Sequence, residues 1–569
     1  MFIRRRLIIA LLCVLLLVAA MAPVAHQLTG MLAAQQEANE ELLAMHVAHS
    51  AHLEAGYGAP VLPMIDIEDA WALEDTREES LEPLVTAMYN GGAALGWDKE
   101  YRTFYCTLGM DSEDWPELSL TAAGEENVQV AWIDDYTYDW RTDALAEGYS
   151  YELIAYTESA YEYIYVDFTG LPIVTLHAGQ EIGDTYIPCR TTVSGAGYDA
   201  IDSAALTHTR GGGFYKGIDK ESYRVEFHGV SSSGKDEKTP VSVLGMAADT
   251  DWLLVSNAGD ETAMRNELCF DLWRRWNGEE HTIMALDSRM VEVFVDDVYM
   301  GLYQLMPRVK ADEEIAAMGG DLTTDIAARM IGERYETGKP LFNAHELIDG
   351  VIELRYAPAG VSSEKAFERY QPYIAMNLPE ENPDYLSNEA FAELALEYCD
   401  VTDTMSYYLF MQATTMTLDN VKNNLYIYAI EDENGGYSYR FAPWDMDSCL
   451  KPLFAVDTNM FNFMWLIAVR MLDNNVYDAR QVVREEWEAR RNTILTEDAL
   501  YQWFLEKEEE INASGAYLRE TERWRGGAQP LSLREFSAFM IDHMNAVERI
   551  LYDTWPLDIP AIYPDGEQR

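Results

Sequence analysis

Basic residues are scarce in this chain of 569 residues: 41 Lys and Arg stand against 97 Asp and Glu, a formal charge of -56. A surface of that sign repels phosphate backbones and anionic headgroups, which sets nucleic-acid binding aside. Cysteine is sparse too. Cys13, Cys106, Cys189, Cys269, Cys399 and Cys449 are scattered without a C-x-x-C pair, so neither a zinc ribbon nor a dense disulfide scaffold is expected. Buried thiols are the expectation instead. Internal repeats and low-complexity tracts are absent. What is present is the composition of a folded chain, 48% hydrophobic and 12% aromatic, with length enough for two or more globular units.

Only one long apolar run occurs. Arg4, Arg5 and Arg6 precede nineteen uncharged residues, Leu7 to Ala25. About twenty such residues cross a bilayer as a helix, and arginines on one flank hold that end in the cytoplasm. Residues 1–25 are therefore expected to be a signal anchor, or a signal peptide cut after Ala20-Met21-Ala22 with Pro23 following. Either way the main part of the chain is expected outside the cytoplasm, held to the cell membrane through residues 7–25 by a single pass, or secreted if the segment is cleaved.

Residues 26–60 read as a stalk or linker. From 61 to 165, "VQVAWIDD", "YSYELIAYT" and "YEYIYVDFTGLP" carry period-two, aromatic-rich runs between polar turns, the pattern of a small β-rich domain. No catalytic constellation lies there. From 171 to 555 hairpins come first and helices later, an α+β pattern with a β-rich lobe followed by a helical lobe. "ESYRVEFHG" reads as a strand with Tyr223, Val225 and Phe227 on one face, and "TAMRNELCFDLWRRW" as a helix. "VEVFV" and "VYMGLYQL", joined by Asp296-Asp297, read as a hairpin. Residues 310–387 look irregular. One helix is expected through Phe391, Leu394, Tyr398, Met405, Leu409 and Gln412, and helices again over 478–553. Residues 556–569 form a tail.

The chemistry concentrates in "DNVKNNLYIYAIEDENGGYSYRFAPWDMD", Asp419 to Asp447. Asp419 and Asn424 open a strand, Asn434-Gly435-Gly436 turns it, and the return strand delivers Asp445 and Asp447 to the starting end. One carboxylate there can accept the proton of an attacking hydroxyl, while an amide oxygen and a second carboxylate hold a phosphate-bridging metal. In an extended segment Asp445 and Asp447 would share a side, with Met446 opposite, and their repulsion would be relieved by a cation. Oxygen donors of this kind favour Mg²⁺ or Mn²⁺ over zinc. Each motif alone is common in so acidic a chain, and an Asp that caps a turn is the ordinary alternative.

These residues resemble the signature of the spore coat protein H (CotH) kinase family, an Asp before an N-x-Y strand and then a P-W-D-x-D element. The upstream segments "RGGGFYKGIDKESYRVEF", "DWLLVSNAGDETAMRNELCFDLW", "VEVFVDDVYMGLYQL" and "YCDVTDTMSYYLFMQ" resemble further pieces of that family in the right order. The resemblance covers 171–555 and implies a divergent protein-kinase-like two-lobed fold. It implies Asp419 as the catalytic Asp, Asn424, Asp445 and Asp447 as ligands of Mg²⁺ or Mn²⁺, and Lys220 at the phosphates of a nucleotide such as ATP. It also implies that Arg210, before Gly211-Gly212-Gly213, helps to shape a phosphate-covering turn. The chain departs from the family at Pro307, where relatives carry a Glu after the G-x-Y strand; Glu267 is the candidate substitute. The expected activity is transfer of phosphate to a protein hydroxyl, with the acceptor unidentified. The alternatives are a silent kinase-like scaffold at the cell surface and an acidic glycoside hydrolase, which needs a carboxylate pair in an aromatic cleft.

Overall fold

The computed structural model describes residues 62–109, 120–125, 127–134, 145, 150–210, 219–230, 236–278, 284, 286–330, 352–380, 382–416, 424–431, 436–451 and 465–563. The apolar run 7–25 lies outside them. Among the described residues no helix is long and apolar enough to cross a membrane. The chain is α+β and divides into two compact units.

The first unit comprises Met1–Val255, Arg289–Leu305 and Ser514–Gly527. The runs read as strands between 61 and 165 are strands: Gln129–Asp134, Ser150–Tyr156 and Ala160–Thr169 lie side by side in a seven-stranded mixed sheet. An eight-stranded sheet follows, in the order Ile201–Arg210, Ile187–Ser194, Ile173–His177, Arg289–Val295, Val298–Pro307, Asp251–Val255, Ser222–Val230 and Asp236–Lys238. Ile201–Arg210 also pairs with Ser222–Val230, so seven of these strands close into a ring. Its interior holds Tyr223, Val225 and Phe227, the face read from the alternation, with Trp252, Leu254, Val291, Val293 and Tyr303. Asp296 and Asp297 take φ of 46° and 65° between Val295 and Val298. That is the two-residue turn that suits the twist of a hairpin, and Asp tolerates the left-handed region.

The second unit comprises Ser256–Ser288, Met306–Ala513 and Ala528–Arg569. The expected helix over "TAMRNELCFDLWRRW" is Arg265–Asn277. Residues 310–387 are less irregular than their sequence suggests. Ile326–Met330 and Ile352–Tyr356 pair with each other, and the first pairs with Leu425–Glu431 a hundred residues on, in a four-stranded sheet completed by Tyr437–Pro443. Strands of five residues leave little periodicity to read. The single helix expected through Phe391 to Gln412 is two, Asn388–Tyr398 and Val401–Ala413. Asp400 ends the run because its carboxylate accepts the Asp403 N–H at 3.0 Å, an N-cap inside a continuous apolar pattern. Val401–Ala413 is the core helix, buried without a break from Thr404 to Ala413.

Candidate active site

In the second unit, the site is built on the hairpin Leu425–Glu431 and Tyr437–Pro443. Its register sets Leu425 opposite Pro443, and the Trp444 N–H donates to the Asn424 carbonyl at 2.9 Å. Asn424 and Asp445 thus stand at the same end of the hairpin, as the spacing predicts. The extended geometry expected beyond Pro443 is not found. Asp445 has φ of 51°, in the left-handed region that Asp enters more readily than most residues. The turn leaves the Asp445 side exposed, buries Met446 completely and leaves Asp447 half-buried.

A second motif holds this turn. The buried Asp260 carboxylate accepts the Thr262 N–H at 2.9 Å and the Arg265 N–H at 2.7 Å, and pairs with the Arg265 guanidinium. Those bonds start the helix Arg265–Asn277 in place of a conventional cap. Asn266, next along, accepts the Met446 N–H at 2.9 Å, and Phe270 one turn later meets the Trp444 ring edge-on at 6.0 Å. After the turn, Leu450 N–H donates to the Thr414 carbonyl at 2.8 Å and Lys451 N–H to Thr415 Oγ1 at 3.2 Å. Residues 417–423, with Asp419, lie outside the described residues. On either side of that segment, Thr414 and Thr415 bond to Leu450 and Lys451, and Asn424 bonds to Trp444.

The Cys269 and Cys449 thiols are both buried. Burial, then the neighbouring Cys269 thiol and the charges of Asp447 and Asp445, pushes the Cys449 thiol well above its ordinary range. All five described cysteines are buried thiols, as expected. Among the described residues no group of three His, Cys, Asp or Glu is placed to hold a metal ion.

In the first unit, Arg210 ends its strand opposite Ser222, two residues past Lys220, so Arg210 and Lys220 share one end of that strand pair. Arg210 is half-buried and Lys220 is buried. Lys220 Nζ donates to the Leu302 carbonyl at 2.8 Å and to Glu520 Oε1 at 2.7 Å, and stands 5.0 Å from the centre of the Tyr303 ring. Glu520, from the helix Ala516–Arg525, went unnoticed in the sequence because it lies 300 residues from Lys220 and belongs to no motif. Glu267, the candidate substitute for the Glu missing at Pro307, is engaged in the second unit by Lys507 at 3.2 Å and by the Ser288 hydroxyl.

A family model described as CotH kinase protein matches residues 207–546, more than half of the chain. The chain belongs to the CotH kinase family. No curated protein matches it. The CotH match takes in both sets of residues, Arg210 and Lys220 as well as Asn424, Asp445 and Asp447. Membership makes this a kinase-like protein, and a kinase family implies a nucleotide and a divalent metal in general terms.

Proposed function

We propose that this CotH-family protein is an atypical, two-lobed protein kinase that transfers phosphate from ATP to a protein hydroxyl with Mg²⁺ or Mn²⁺. Its main domain, 171–555, would work outside the cytoplasm behind the membrane segment 7–25, with 26–60 as stalk and 61–165 as an accessory β-rich domain. The observation that carries the reading is the Asp445 turn. There an exposed Asp in left-handed backbone stands at the same hairpin end as Asn424 and is seated on a buried helix start, an arrangement that supports a ligand role for both side chains.

The residues suit the assigned chemistry. Asn424, Asp445 and Asp447 offer only oxygen donors, and they would hold a hard cation rather than zinc. The metal would supply charge neutralisation at the transferring phosphoryl group. Asp419 would accept the proton of the attacking hydroxyl, while Lys220 and Arg210 would position the phosphates.

The test is thermal denaturation of residues 60–569 with Mg²⁺ or Mn²⁺, with and without ATP. A ligand that binds only the native state raises its stability by mass action, so metal should stabilise and metal with ATP should stabilise more. Asp445→Asn, which tolerates the same left-handed backbone, should abolish the nucleotide-dependent part. A response that survives that substitution would trace to general surface acidity and overturn the assignment.

A further inference from the structure

The carboxylate beside Lys220 arrives by an unexpected route. Lys220 is held from two elements far apart in the chain, the Val298–Pro307 strand and the Ala516–Arg525 helix. Glu520 Oε1 accepts from Lys220 Nζ at 2.7 Å, and Glu520 Oε2 accepts the Leu302 N–H at 2.8 Å. Leu302 also receives Lys220 through its carbonyl at 2.8 Å. One residue of the Val298–Pro307 strand thus binds both halves of the ion pair.

Gly301 makes the approach feasible. It has φ of 94°, and a Cβ built there would lie 2.2 Å from Glu520 Oε2, closer than any side chain can sit. The glycine of the G-x-Y strand is therefore the slot through which the carboxylate enters. The helix that bears Glu520 is fixed on the same hairpin. Arg519 holds Glu292 through two bonds of 2.8 Å, both groups buried, and the Trp524 indole donates to the Met300 carbonyl at 2.9 Å.

Stability alone gives little reason for this pair, because a buried ion pair is often replaceable by apolar groups without loss. A fixed ammonium is another matter. Lysine is a point charge on a flexible stem, and it becomes a directed group only when its neighbours hold it. We propose that Glu520 is the positioning residue of Lys220, delivered through Gly301 to hold the ammonium for the nucleotide phosphates. The proposal rests on Lys220 being the nucleotide-binding lysine.

The experiment uses the full chain and its Glu520→Gln, Glu520→Asp, Gly301→Ala and Lys220→Met variants. It measures KM for ATP in autophosphorylation and labelling of Lys220 by an acyl-phosphate ATP probe, both well below each variant's melting point. Glu520→Gln should cut Lys220 labelling and raise KM for ATP by roughly tenfold, the scale of one charge-assisted hydrogen bond. Glu520→Asp should recover part of the loss. Gly301→Ala should reproduce the Glu520→Gln defect, and the double variant should be no worse than the poorer single one, because both act on one contact. A Glu520→Gln chain that melts earlier but keeps wild-type labelling and KM would leave Glu520 a structural residue and overturn the proposal. Lys220→Met with wild-type KM would overturn the nucleotide role of Lys220 instead. A wild type that neither labels nor binds ATP would overturn the kinase reading and this proposal with it.

Discussion

Asn266 accepts the Met446 N–H at 2.9 Å across 180 residues of sequence, and this bond seats the Asp445 turn on the first turn of a helix. Met446 is fully buried, so its amide has no access to water in place of Asn266. Asn266→Ala should therefore cost about 1–3 kcal/mol, the penalty for leaving a buried donor unpaired. Denaturant unfolding measures it. An unchanged midpoint would mean that another acceptor takes over the amide.

A pH dependence should come from the first unit. His228 Nε2 stands 2.9 Å from Glu226 and its Nδ1 3.0 Å from Asp236, so the ring satisfies both carboxylates only as the cation. Burial by itself would push the imidazole down, but the bonds to Glu226 and Asp236 and their charges hold it above 6.5. A group raised on folding holds its proton more tightly in the native state. Its stabilisation is complete below the unfolded value and is lost as pH rises through the native one. Wild type should thus lose stability through the neutral range relative to His228→Gln. Parallel melting curves for the two chains would contradict this role.

Topology has its own test. Arg4 to Arg6 should retain the short N-terminus in the cytoplasm, so a reporter fused after Arg569 should behave as extracytoplasmic. A cytoplasmic signal from that fusion would overturn the anchor assignment.

What the sequence made legible was local. Two-residue alternation at Tyr223, Val225 and Phe227 and the Asp296-Asp297 turn each depend on neighbours in the chain, and both stand as read. The hairpin from Asn424 to Pro443 was legible for the same reason, since strand out and strand back leave one end for both. Glu520 was not, because nothing near it in the chain marks a carboxylate that pairs with a lysine 300 residues away. The bend at Asp400 and the left-handed Asp445 were missed for another reason. Each is a capping or tertiary choice made against a pattern that would continue a helix or a strand.

The catalytic assignment can be tested at Asp419, which lies in the chain between Thr415 and Asn424. Asn is nearly isosteric with Asp and can cap a turn as well, so a structural Asp419 would lose little on replacement. An amide cannot accept a proton from the acceptor hydroxyl. Asp419→Asn should then keep the fold and most nucleotide binding while phosphate transfer falls by roughly a hundredfold or more, the scale of lost general-base help. Autophosphorylation with labelled ATP and Mg²⁺ is the first assay, because the natural acceptor is unidentified, and melting with and without ATP serves as the control for binding. Equal labelling of wild type and variant would remove Asp419 from the mechanism. No labelling of either chain, despite nucleotide binding by both, would favour a kinase-like scaffold that holds ATP without transferring its phosphate to itself.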